Sequence, residues 1–160
     1  MTEFREMIRK NRQLSMEDCI QILKSETRGV LSVMGDNDYP YGTPMNHWYN
    51  EEDGKIYFHC GNIGHRLEAL QKHNKVSFCV CDAGYRNEGE WALNVKSVIV
   101  FGTVDIVDDM EKIVDITTKL SYKFTQDEEY IKKEIQQSAH RTLLLQLNPE
   151  HICGKLVNEA

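Results

Sequence analysis

The sequence predicts an α+β fold: a mostly antiparallel barrel or sandwich of six or seven strands, with helices at the start, in the middle and near the end. Three observations predict it. Short runs rich in β-branched and aromatic residues, such as GVLSVMG, KIYFHC, KVSFCVC and VKSVIVFGTVDIV, recur between turn-forming residues. Helical periodicity is confined to stretches after Ser15, after His65 and across residues 110–139. The links between strands are hairpin-like, and sheets of this kind close on themselves to remove their edges.

The elements follow in order. Residues 1–14 are a mixed-charge lead-in in which Arg5, Arg9 and Arg12 fall near one helical face, read as a solvated or partner-facing arm. Ser15 with Asp18 makes a capping-box-like start, and Met16, Cys19, Ile20 and Leu23 recur at helical spacing in a helix that ends by Gly29. Residues 29–35 read as a strand, Asp36, Asn37 and Asp38 as a turn, and the next strand begins near Tyr41. Pro44 removes a ladder donor in mid-run, which places that strand at an edge or where backbone is diverted toward a ligand. Alternation puts Thr43, Met45 and His47 on one face and Pro44, Asn46 and Trp48 on the other.

Residues 51–54 form a hairpin turn into a strand where Ile56, Phe58 and Cys60 alternate with Tyr57 and His59. A helix from His65 to about His73 turns Leu67 and Leu70 inward, and a strand over 75–82 follows. The loop over 83–94 carries Trp91, a large aromatic suited to packing or an interface. Residues 95–109 give the longest strand signal, with Gly102 suited to a bend or bulge. Two helical stripes come next, Ile113, Ile116, Leu120 and Tyr122, then Tyr130, Ile131 and Ile135; residues 141–157 form a final strand and a tail.

At 160 residues, 41% hydrophobic and 28% charged, the chain reads as one globular domain over 1–160. A net charge of -6 argues against a nucleic-acid surface, which needs clustered Lys and Arg. No apolar run is long enough to span a bilayer and the start lacks a signal-peptide core, so a cytoplasmic location is expected. The five cysteines show no disulfide-scaffold spacing and are expected to be free thiols. Cys79 and Cys81 share a strand face and read as small buried residues; no metal site is expected.

Chemistry concentrates in residues 41–70, YGTPMNHWYNEEDGKIYFHCGNIGHRLEAL. A helix start leaves backbone N–H groups unpartnered and carries partial positive charge. Gly61 and Gly64 let backbone approach a ligand there, and Arg66 offers a permanently charged fork to phosphate oxygens. The preceding strands bring Thr43, Asn46, His47, Tyr57 and His59, groups able to line a flat heteroaromatic ring. The pattern suits a phosphate-tailed ring cofactor; the plainer alternative is a hairpin and a surface helix whose Arg66 faces water.

The blocks PYGTPMNHWYN, IYFHCGNIGHRLEAL, HNKVSF and KSVIVFGTVDIVDD occur in this order, and with them the pattern covers roughly residues 12–108. In that order they resemble the pyridoxamine 5′-phosphate oxidase-related flavoproteins, and specifically the branch of Nim-type nitroimidazole resistance proteins. Arg66 stands where the family usually has Lys, Cys60 precedes Gly61 where many relatives read H-G-A, and Asn74 is not followed by the usual Pro. The resemblance implies an FMN-binding split β-barrel, built as a homodimer with its cofactor sites at the subunit boundary. It implies that the strand holding Thr43, Met45, Asn46 and His47 meets the flavin ring edge and that His59 and Cys60 lie beside the cofactor. Gly64, His65 and Arg66 would hold the phosphate, Ser97 would touch the cofactor across the interface, and Gly154 and Lys155 would approach the site.

A flavin supplies the redox chemistry, and His59 or His47 would donate a proton as electrons reach the substrate. The implied activity is an oxidoreductase acting on small nitro-aromatic or quinone-like acceptors. The alternative is a flavin- or haem-binding carrier or sensor without catalysis. Pyridoxamine-phosphate oxidation itself is disfavoured, because the C-terminal Arg-rich substrate segment of that enzyme is missing.

Overall fold

A computed structural model describes residues 3–160; Met1 and Thr2 of the expected arm lie outside the described residues. It contains strands β1 (Arg28–Met34), β2 (Pro40–Asn46), β3 (Trp48–Asn50), β4 (Lys55–Gly61), β5 (Lys75–Cys81), β6 (Asn94–Val107) and β7 (Thr142–Asn158). Four helices join them, α1 (Met16–Ser25), α2 (His65–Lys72), α3 (Met110–Ser121) and α4 (Glu128–Ser138). The strands form one sheet in the order β2-β1-β5-β6-β7-β4-β3 and every pair is antiparallel. The sheet curls into the expected split barrel.

Its two margins, β2 and β3, are consecutive in the chain and separated by a single residue, His47. That residue is where the barrel closes. Alternation fills the inside: Leu31 and Val33, Met45, Phe58, Phe78 and Val80, Val98 and Val100, and Leu145 and Leu147 form one buried cluster. α1 caps it with Cys19, Ile22 and Leu23, and α2 adds Ala69 and Leu70. The α1 start is as expected, with the Ser15 hydroxyl accepting from the Asp18 N–H at 3.1 Å.

On the outer face of β4 and β7, α3 lays Ile113 and Ile116 over Tyr57 and Leu144 in a second cluster. Tyr57 therefore belongs to helix packing and not to a ring-binding wall. Its hydroxyl donates to Asp53 at 2.5 Å, which pins the β3–β4 turn.

Several expectations are corrected. Residues 3–9 are not helical, so the three arginines share no helical face; only Lys10–Arg12 make a 3-10 turn, and the arm runs beside β7 through a Gln13–Lys155 bridge. Cys79 and Cys81 do share a face of β5, but they point outward and are exposed, because Val76, Phe78 and Val80 occupy the barrel side. In α4 only Ile131 is buried and Tyr130 is 55% exposed. The last element is one strand of 17 residues rather than a strand and a tail. Gly102 makes that possible. The ladder slips between Phe101 and Gly102, so Phe101 faces His151 and Gly102 faces Pro149, leaving Glu150 as the extra residue. A Cβ at Gly102 would come within 2.2 Å of the Asn148 carbonyl oxygen.

Candidate cofactor site

α2 begins at the end of β4, and its N-cap is Gly64 with φ 138° and ψ 167° and no side-chain cap. That backbone region is open essentially to glycine alone. A Cβ there would meet nothing within 4 Å, so the requirement is conformational, not spatial. The first turn consequently presents its N–H groups to the adjoining space instead of to a capping oxygen.

That space is a cavity of about 180 Å³ lined by Tyr41, Cys60, Gly61, Gly64, His65 and Arg66 among others. Arg66 is half-buried, and its Nη1 donates to Thr43 Oγ1 at 3.0 Å, so a hydroxyl on β2 aims the guanidinium. His65 stacks on Tyr41 with ring centroids 4.2 Å apart, and its Nε2 accepts from the Asp36 N–H at 3.4 Å. Burial raises the pKa of the Cys60 thiol, and the Arg66 guanidinium only partly offsets this, so the cavity wall stays an uncharged thiol. Open helix N–H groups, a tethered arginine and no carboxylate in the lining suit a phosphate group. The volume lies below the ~300 Å³ at which pockets for drug-sized ligands begin, so a ring system would extend beyond it.

The remaining sequence-predicted residues disperse. Met45 is buried in the barrel core, and Asn46 Oδ1 accepts from Arg28 Nε at 3.2 Å. His47 is fully buried, its ring set edge-on to Phe78 with Nε2 2.8 Å from the Leu23 carbonyl. Burial first, then the nearby Lys123 charge, pushes its pKa down to about 4, so the ring is neutral at physiological pH. This corrects the reading of His47 as a proton donor at the flavin, because a neutral core imidazole with no solvent contact cannot exchange protons with a substrate.

His59 projects from β4 on the face opposite Cys60. It lines a different cavity, of about 250 Å³, under α3 and α4 with Tyr130, Glu134 and Ser138. It keeps an exposed edge while the protein around the rest of the ring lowers its pKa by desolvation. Ser97 lies elsewhere again, on β6 opposite Lys155 of β7, in a third cavity with Gly154 and Lys155. Within one chain, Thr43, Cys60, Gly64, His65 and Arg66 come together and Met45, His47, His59 and Ser97 do not. Tyr41 is the site residue that sequence reasoning passed over. An aromatic in the PYGTP block, two residues before Thr43, was its only signal.

A sequence profile described as pyridoxamine 5′-phosphate oxidase matches residues 15–156. The chain belongs to this family. No curated protein matches it in sequence. Among solved structures, a candidate 5-nitroimidazole antibiotic resistance protein from Bacteroides thetaiotaomicron superposes with TM-score 0.78 at 18% identity, covering 91% of this chain and 87% of its own. A conserved hypothetical protein from Mycobacterium tuberculosis gives 0.77 at 18% identity, covering 94% and 90%. An FAD- and haem-binding protein from Mycobacterium smegmatis gives 0.72 at 19% identity, covering 93% and 74%. At these identities the likeness is one of fold.

Proposed function

We propose that this member of the family binds FMN with its phosphate at Arg66 and the open start of α2, and uses it to reduce small nitro-aromatic or quinone-like acceptors. The observation that carries the reading is the Thr43-tethered Arg66 beside an uncapped helix whose N-cap only glycine can occupy. The flavin would supply hydride and single-electron chemistry. The chain's own groups bind the phosphate, aim it and hold the adjoining Cys60 thiol uncharged. Support comes from likeness in fold to the nitroimidazole resistance candidate and to the FAD-binding mycobacterial protein.

The reading includes a homodimer that completes the site. Strand register aligns Pro44, Val30, Cys79, Ile99 and Cys153 as one row across the outer face of five strands, with Val30 and Cys79 exposed. An apolar row of this length, exposed at Pro44, Val30 and Cys79 and half-buried at Ile99 and Cys153, suits a second copy of the chain, and it ends beside Ser97. Among the described residues no helix is long and apolar enough to cross a membrane, and all five cysteines are free, which fits a reducing cytoplasm.

A second reading, a flavin or haem binder without catalysis, draws on one observation. Neither His47 nor His59, the two expected proton donors, lines the Arg66 cavity, and the imidazole that does, His65, is engaged by Tyr41 and by the Asp36 N–H. Turnover with a reduced nicotinamide and a nitro-aromatic acceptor separates the two.

The test is the visible absorbance of the purified protein titrated with FMN, repeated on Arg66→Ala. A bound-flavin spectrum whose affinity falls about tenfold or more in the variant is expected, the weight of a charge-assisted hydrogen bond. A protein whose addition leaves the FMN spectrum unchanged at every concentration would sink the proposal.

A further inference from the structure

Away from the Arg66 site and from the face ascribed to a second copy, a further cavity opens where the end of α1, β3 with its following turn, and the end of α3 meet. It shares no residue with the Arg66 cavity. Its volume, about 410 Å³, falls in the ~300–1,000 Å³ range of small-molecule pockets. Trp48 and Tyr122 give the wall aromatic surface, and its charged groups offset one another, Lys24 and Lys119 against Glu51 and Glu52. Such a wall suits a flat ring without net charge.

Three lysines reach this cavity, and one differs from the others. Lys24 is paired with Glu51, and Lys119 with Asp115 at 3.0 Å, whereas Lys123 forms no ion pair among the described residues. Lys123 is half-buried, and its Nζ donates to the main-chain carbonyl of His47 at 2.9 Å. An ammonium carries three N–H donors, of which the protein meets one here; a neutral amine carries two and a lone pair. Burial accordingly pushes the Lys123 pKa down to about 8, against the pull of the Glu26 carboxylate. A nucleophilic amine is thus held on a short leash at the wall of an aromatic-lined cavity.

We propose that Lys123 captures small uncharged aromatic aldehydes from this cavity as an imine. The Nζ lone pair adds to the carbonyl carbon and the C=O electron pair passes to oxygen. Both amine protons end on that oxygen, the C–O bond breaks, and water leaves. Amine and aldehyde give imine and water, so no oxidant or reductant is required. Trp48 and Tyr122 supply the surface on which the ring rests while the bond forms.

The experiment incubates the intact protein near neutral pH with benzaldehyde and sodium cyanoborohydride, which fixes an imine as a stable amine. Peptide mass spectrometry follows the adduct at each lysine in wild type and Lys123→Arg, native and in urea. Lys123 is expected to be labelled about tenfold faster than Lys24 and Lys119 on the same wall, because more of it is neutral. Its rate should level off as benzaldehyde rises, the mark of a bound ring, while theirs climbs in proportion. In urea the preference should vanish. Lys123→Arg, which keeps a donor for the His47 carbonyl, should lose this adduct and leave the others as they are. Equal rates at the three lysines, a Lys123 rate that never saturates, or a preference that survives urea would overturn the proposal. Since no residue of the Arg66 cavity takes part, a protein that fails to bind FMN leaves the expected pattern intact.

Discussion

Lys123 Nζ donates to the main-chain carbonyl of His47 at 2.9 Å. The same histidine sends its backbone N–H to the Thr27 carbonyl at 3.3 Å and its Nε2 to Leu23 at 2.8 Å. One residue therefore ties the end of α1, the segment leading into β1 and the link between α3 and α4 at the point where the two margins of the sheet meet. Its Nδ1 alone is buried without a partner.

Acid should act on this joint. Between about pH 6.5 and about 4 the unfolded chain binds a proton at His47 that the folded protein refuses, so stability falls as pH drops through that window and the loss levels off below it. The fully buried ring makes the whole effect about 3 kcal/mol. Urea unfolding of wild type and His47→Gln across pH 4 to 7 checks it, because glutamine keeps an N–H for Leu23 but does not titrate. Equal pH slopes in the two proteins would contradict the assignment.

Replacing the partner gives a second readout. Lys123→Met leaves the buried His47 carbonyl without its donor and should cost about 1 to 3 kcal/mol in unfolding free energy. It also removes a positive charge that helps hold the imidazole neutral, so the His47 pKa should rise from about 4 while burial still keeps it below 6.5. Histidine ring NMR as a function of pH reads this directly. A His47 titration that does not move in the variant would show that Lys123 exerts no charge effect there.

Two glycines three residues apart should answer differently. Gly64→Ala forces a side chain into φ 138° and should cost about 1 to 3 kcal/mol or tilt the start of α2, weakening FMN binding with it. Gly61 has no left-handed φ, and a Cβ there comes no closer than 4.0 Å to its neighbours, so Gly61→Ala should stay within about 0.5 kcal/mol of wild type. Thermal melts and FMN titrations of the pair distinguish backbone strain from simple crowding of the loop.

The barrel was legible because its signals are local. Alternation in β4, the Pro44 edge, the Ser15 cap and the Gly102 bulge each follow from residues within a few positions of one another. The arrangement around Arg66 was legible for the same reason, since Gly64, His65 and Arg66 are adjacent and Thr43 faces them from the neighbouring block. His47 and Cys79 were misjudged because period 2 says which residues share a face but not which face the barrel encloses. His47 falls at the seam, where one residue carries the chain from one margin of the sheet to the other. The stack of Phe4, Phe101 and His151 joins residues about 100 and 150 positions apart, and only the closed sheet brings them together.

The strand order also sets a timetable for synthesis. β7 lies between β6 and β4, and its first half provides the pairing of Ile56 with Leu147 through Gly61 with Thr142. While the chain is being made, β4 must wait with one bare edge, paired only with the three-residue β3, until the last strand has left the ribosome. Its apolar inner residues, Ile56, Phe58 and Cys60, are exposed to other nascent chains for that interval. Chaperone demand should thus be greatest just before the arrival of the final strand, which closes the wall and shelters them.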